Sequence, residues 1–115
     1  MILYGISNCD TIKKAKQWLS ENMVAYQFHD FRKDGLEADL LNVWIDALGW
    51  EVFLNKRGTT WRKLSEADQS NLDADKAARL MLKYPAMIKR PVLVTTDEII
   101  VGFKPEEYMR LIDQL

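Results

Sequence analysis

The chain holds one cysteine, Cys9, in the stretch Ser7-Asn8-Cys9-Asp10-Thr11. A short apolar run, Ile2-Leu3-Tyr4, precedes it and reads as a strand. The stretch from Asp10 to Ser20 reads as a helix, with Ile12, Ala15 and Leu19 on one face and Lys13, Lys14 and Lys16 elsewhere. A thiol at the first turn of that helix faces unpaired backbone N–H groups and the positive end of the helix dipole, and both favour the thiolate. The gain is large: a thiol of pKa about 8.5 is roughly 3% ionised at neutral pH, whereas one lowered to about 6.5 is roughly three quarters ionised. Many lone cysteines are inert, buried small hydrophobes; the polar flanks of Cys9 favour the reactive alternative. Ser7, Asn8 and Thr11 are candidates to hydrogen-bond the sulfur, against the ordinary turn and cap chemistry of such residues.

A single cysteine cannot close an internal disulfide, so oxidation joins it to another molecule or to an oxygen species. With 115 residues, 48% of them apolar, the chain fits one domain with one core. It has no apolar run of about 18 residues for a membrane span and no secretory leader pattern, so a cytoplasmic protein is expected. A net charge of −1 argues against a dedicated nucleic-acid binder. No Cys/His cluster or phosphate-loop glycine pattern indicates a metal or a bound organic cofactor. Local charge is uneven. Lys56, Arg57, Arg62 and Lys63 cluster in one region, and Lys89-Arg90 precede Pro91. Such clusters are most often a solvated surface.

The elements that must position Cys9 follow from periodicity. Residues 2–5 and 25–30 read as strands flanking the Cys9 helix, a βαβ unit. From Leu36 to about Tyr84 the pattern is helical: Leu36, Leu40, Leu41, Trp44, Ile45 and Leu48 form one stripe ending at Gly49, Ser65-Glu66-Ala67-Asp68 reads as a helix start, and a further helix spans about Asp73 to Lys83 before Pro85. Residues 92–95 and 98–101 read as a hairpin. Pro105 then opens a helix with Tyr108, Leu111, Ile112 and Leu115 in register. The order predicts an α/β fold: a thioredoxin-like four-stranded mixed sheet with an inserted helical subdomain, a single domain over 1–115 with the insert at about 36–85. In such a fold the end of the first strand, the loop near Arg57 and the turn before Pro91 could converge on Cys9. The expected core includes Leu3, Leu19, Phe28, Leu41, Ile45, Leu80, Leu93, Ile100, Leu111 and Ile112. His29, alone of its type, reads as a structural or surface residue.

Four segments now carry a resemblance: Tyr4-Gly5-Ile6-Ser7-Asn8-Cys9-Asp10-Thr11-Ile12-Lys13-Lys14-Ala15, Phe31-Arg32-Lys33-Asp34-Gly35, Leu54-Asn55-Lys56-Arg57-Gly58-Thr59-Thr60-Trp61-Arg62-Lys63-Leu64, and Ile88-Lys89-Arg90-Pro91-Val92. In order and over nearly the whole chain, the sequence resembles the ArsC/Spx family of arsenate reductase-like proteins, most closely its YffB-like branch. The resemblance implies a nucleophilic Cys9, glutathione as co-substrate, and glutathione or glutaredoxin as thiol partner. It places Arg90 on an anion-binding arginine, Arg57 on another basic site residue, and Lys104 where the family's third arginine stands. It also implies a cis bond before Pro91. Departures are visible. Gly5 occupies the position of a histidine that helps ionise the cysteine in arsenate reductases, lysine at 104 offers a point charge instead of a planar fork, and Ile12 stands at the second site of the Cys-x-x-Cys switch found in Spx-type regulators.

Physical chemistry gives the same residues roles. A thiolate attacking a disulfide sulfur gains from cations that hold it ionised and offset charge on the departing thiolate. Arg57, Arg90 and Lys104 could do this, or dock the carboxylates of glutathione. The expectation is a monomeric, glutathione-dependent thiol reductase. The alternatives are an Spx-like adaptor that docks on RNA polymerase, with Cys9 incidental, and an authentic arsenate reductase.

Overall fold

A computed structural model describes residues 1–114. The fold divides into two compact units: Met1–Asp34 with Arg90–Leu115, and Gly35–Lys89.

The first unit is built on a four-stranded sheet of β1 (Ile2–Gly5), β2 (Gln27–Asp30), β3 (Val92–Val94) and β4 (Ile99–Val101), in the order β2-β1-β3-β4. The first helix, α1 (Asp10–Glu21), connects β1 to β2, which pair in parallel; β1 with β3 and β3 with β4 are antiparallel. A parallel pair needs such a crossover, and the α1 face of Ile12, Ala15 and Leu19 supplies the apolar stripe that packs it down. Register places Phe28, Leu3, Leu93 and Ile100 in one row across the four strands. Leu3, Leu93 and Ile100 join Ala15 and Leu19 of α1, and Tyr108 and Leu111 further along the chain, in one buried cluster. Each fully buried leucine contributes about 1.5–3 kcal/mol relative to exposure. α1 ends at Asn22, whose side-chain amide donates to the Trp18 carbonyl at 2.8 Å.

The second unit is helical. α2 (Ala38–Leu48) stops at Gly49, which has φ 93°, a conformation glycine adopts without steric cost. Then come α3 (Trp50–Phe53), α4 (Thr59–Arg62), α5 (Glu66–Gln69) and α6 (Ala74–Lys83). Ser65 and Asp73 cap α5 and α6 by accepting the N–H groups of Asp68 and Lys76. Trp44 and Phe53, both fully buried, stack at 5.9 Å. After a 3-10 turn at Pro85–Met87, Ile88 pairs with Leu54 as an isolated antiparallel bridge, flanked by bonds from Asn55 N–H to the Met87 carbonyl (2.8 Å) and Lys89 N–H to the Phe53 carbonyl (2.7 Å).

In the first unit the chain ends with α7 (Pro105–Asp113). The predicted helical position Leu115 lies outside the described residues. Several expectations need correcting. β2 begins at Gln27 instead of residue 25, and α4, the 3-10 turn and the Leu54–Ile88 bridge were not legible in the pattern. The helix expected from about Asp73 to Lys83 is present as α6, and Pro85 after it opens the 3-10 turn. Phe28 and Ile112 are only partly buried. Phe28 lies on an outer strand of the sheet, and the Lys16 ammonium sits 3.6 Å over its ring. A cation held there offsets part of the lost burial.

Candidate active site

Cys9 is the N-cap residue of α1, in extended backbone geometry, with its carbonyl accepting the Lys13 N–H at 3.1 Å. It stands one position before the first helical turn in which the sequence placed it. The side chain is half-buried and does not cap the helix with the short bond that a serine or aspartate makes. Its thiol pKa is nevertheless lowered. Partial burial works against ionisation, but the Ile12 N–H, the Arg90 guanidinium by hydrogen bond and by charge, and the Thr11 N–H together outweigh it. The helix N-terminus and one arginine thus act on the same sulfur.

Arg90 is half-buried and stands two positions before β3, with Pro91 between them. The Arg90–Pro91 bond is cis, as the resemblance implies, and the buried Pro91 accepts the Gly102 N–H on its carbonyl at 2.8 Å. Lys104 is the exposed N-cap of α7, with its ammonium 3.8 Å from the Glu107 carboxylate. It is not among the groups that shift the Cys9 thiol. Arg57 belongs to the helical unit, exposed between α3 and α4; its N–H donates to the Asn55 side-chain oxygen at 3.0 Å, and its carbonyl accepts from the Arg62 guanidinium at 2.8 Å. Beside it, the Lys56 ammonium lies 5.9 Å from the Trp50 ring and 5.4 Å from that of Trp61.

Of the three residues expected to bond the sulfur, only Thr11 acts on it, and through its backbone. Asn8 is exposed. Ser7 turns instead to Asp30, the residue paired with Gly5 where β1 and β2 end. The Ser7 N–H donates to one carboxylate oxygen at 3.1 Å, and the N–H groups of Arg32 and Lys33 donate to the other at 2.8 and 3.2 Å. Burial alone raises the pKa of Asp30; the Ser7 hydroxyl and the three N–H groups outweigh that and hold it at about 2, below its ordinary 3.8. The sequence reading passed over Asp30. Its signal was an aspartate at a strand end, followed by a turn whose N–H groups it can accept. His29, half-buried in β2, packs its ring 5.0 Å from that of Tyr4.

Gly5 explains one departure from the arsenate reductases. A β-carbon there would lie 2.2 Å from Cδ1 and 2.9 Å from Cγ1 of Ile12, which is fully buried. Ile12 fills the space that a side chain at position 5 needs.

The family model of the ArsC family matches residues 4–111. The chain belongs to the ArsC family. Its fold matches the solved structure of the YffB (PA3664) protein with a TM-score of 0.92 at 50% identity, over 95% of this chain and 96% of that one. It is similar at 48% identity and a TM-score of 0.78 to an arsenate reductase (ArsC) related protein from Brucella melitensis, over 96% and 92% of the two chains. Among characterised relatives, the global transcriptional regulator Spx 2 of Bacillus anthracis is 24% identical over 114 residues, 97% of this chain and 86% of the regulator. Among the described residues of this ArsC-family chain, no group of acidic, histidine and cysteine side chains has metal-binding geometry, and no helix is long and apolar enough to cross a membrane.

Proposed function

We propose that this protein is a glutathione-dependent thiol reductase whose nucleophile is Cys9. The observation that carries the reading is the Arg90 guanidinium bonded to a sulfur at the N-terminus of α1, with the thiol pKa lowered as a result. The Cys9 thiolate attacks the glutathione sulfur of a mixed disulfide; a Cys9–glutathione disulfide forms, the original sulfur–sulfur bond breaks, and the substrate leaves as a thiolate that takes up a proton. A second glutathione thiolate then attacks the new disulfide, releasing oxidised glutathione and restoring Cys9. The chain has one cysteine, so the resolving thiol comes from outside, either glutathione or a glutaredoxin. Arg90 stabilises the thiolate as nucleophile and again as leaving group, and its planar fork suits a glutathione carboxylate. Arg57, Pro91 and Lys104 stand as further substrate-binding candidates on the family resemblance. The reaction suits a monomer in the reducing cytoplasm, where glutathione is kept reduced.

Incubation with oxidised glutathione tests this. Mass spectrometry should find one glutathione per chain, removable by a thiol reductant and absent from Cys9→Ser. If Cys9 alkylates no faster than a model thiol and takes up no glutathione, the reductase reading fails. The similarity to Spx regulators over nearly the full chain supports a second reading, an adaptor that contacts RNA polymerase with Cys9 incidental. A polymerase pull-down unaffected by Cys9→Ser would favour it. Arsenate reduction is the third reading, and Gly5 and Lys104 weigh against it, since neither supplies the group that the resemblance expects.

A further inference from the structure

Asp30 is the one buried charged side chain among the described residues, 3% exposed. A carboxylate withdrawn from water costs several kcal/mol unless its oxygens are fully bonded. Both oxygens here are bonded, and to two different segments: Oδ2 to the Ser7 N–H in the loop that leads to Cys9, Oδ1 to the Arg32 and Lys33 N–H groups in the turn after β2. The turn is closed further by the Asp30 N–H donating to the Asp34 carboxylate and the Asp34 N–H donating to the Asp30 carbonyl, at 3.0 and 2.8 Å. The Ser7 contact stands next to the Phe31 N–H bond to the Gly5 carbonyl at 2.8 Å, so the start of the Cys9 loop is tied to the end of β2 by both backbone and side chain.

We propose that Asp30 is a positioning residue for Cys9: by tying the Ser7 loop to the end of β2, it sets the sulfur against the Ile12 and Thr11 N–H groups and the Arg90 guanidinium. The inference deepens the reductase reading and rests on Cys9 being its nucleophile. It also explains why the residue is an aspartate. Asparagine has the same shape but only one accepting oxygen. With that oxygen toward Arg32 and Lys33, its NH2 group opposes the Ser7 N–H, donor against donor; flipped, it opposes the turn. Only a carboxylate accepts on both sides. The titratable residues next to it in the chain are His29 in β2 and Arg32, Lys33 and Asp34 in the turn. Arg32, Lys33 and Asp34 are exposed, so the backbone N–H groups and Ser7 hydroxyl hold the carboxylate.

The test is the alkylation rate of Cys9 against pH in the full chain, for wild type, Asp30→Asn, Ser7→Ala and Leu111→Ala, with folding checked by circular dichroism. Leu111→Ala removes core volume in α7 and controls for general loosening. Asp30→Asn should slow alkylation near pH 6 about threefold to tenfold and displace the rate profile to higher pH, while Leu111→Ala keeps the wild-type profile. Ser7→Ala loses only the hydroxyl bond and should slow it about twofold. Asp30→Asn decides the matter where it folds, and Ser7→Ala decides it otherwise. A deciding variant with the wild-type profile, or a Leu111→Ala profile displaced equally, overturns the role of Asp30 and leaves the reductase reading intact. A wild-type thiol no faster than a model thiol overturns both.

Discussion

The Arg90 guanidinium hydrogen-bonds the Cys9 sulfur, joining a residue two positions before β3 to the residue before α1. The pair requires the sheet, because β1 and β3 are adjacent antiparallel strands. In that arrangement the entry to β3 lies beside the exit of β1. A thiolate accepts a guanidinium hydrogen bond far better than a thiol does, so the bond favours the ionised form.

Arg90→Ala should therefore raise the Cys9 thiol pKa. The sign follows from the charge states: removing a cation beside a thiolate destabilises the ionised form, so ionisation waits for higher pH. Iodoacetamide alkylation below neutral pH should slow about twofold to tenfold, with Arg90→Lys between wild type and Arg90→Ala, since lysine keeps the charge and loses the fork. An unchanged rate profile would reduce Arg90 to a structural residue.

The sheet unit was legible in the sequence, and the reason is local. The α1 stripe of Ile12, Ala15 and Leu19 is a period-3.6 signal, and β1, β3 and β4 are short apolar runs between turn residues, while β2 shows through the alternation that places Phe28 on one face. Cys9 could be placed because a helix start is a local event. Asp30 could not, because its partner Ser7 lies on another strand's exit and meets it only once β1 and β2 pair. Phe28 and Ile112 failed as core positions for a related reason: alternation and helical spacing identify a face but not how completely a neighbour covers it. Four-residue α4 is too short to show a period at all.

The Tyr108 hydroxyl yields a stability prediction. Its side chain is fully buried between the rings of Trp18 and Phe103, at 5.6 and 5.0 Å, and the hydroxyl has no hydrogen-bond partner among the described residues. Burial, with a smaller contribution from the Glu107 charge, raises its pKa well above the ordinary tyrosine value, so it stays neutral. Tyr108→Phe removes an unsatisfied polar atom and keeps the ring. Urea unfolding should give unchanged stability or a gain of up to about 1 kcal/mol, at unchanged m-value. A loss of about 1 kcal/mol or more would reveal a partner for the hydroxyl.

Contact between Gly5 and Ile12 gives a double-mutant test. A β-carbon at position 5 meets Ile12 Cδ1 first, so Gly5→Ala should destabilise by about 1–3 kcal/mol through overpacking. Ile12→Val removes that terminal carbon and alone costs about 0.5–1.5 kcal/mol. Together the two should cost less than their sum, because the valine vacates the space that the alanine enters. Strict additivity in a denaturant cycle would mean that the strand and helix separate instead of clashing.

Asp30 should also govern how the fold responds to acid. Its carboxyl is held at about 2 when folded, against an ordinary 3.8. A folded-state pKa below the unfolded one means that the unfolded chain binds the proton first. The carboxylate's contribution is thus fully present above about pH 4 and is lost as the pH falls through about 2. Asp30→Asn cannot titrate and lacks the second acceptor, so it should be less stable than wild type at neutral pH, with the difference shrinking over that same acid window. Denaturant midpoints measured at successive pH values would show the two curves converging toward low pH. Parallel curves across the window would mean that the Ser7 and Arg32 N–H groups contribute as much to a neutral side chain as to the carboxylate.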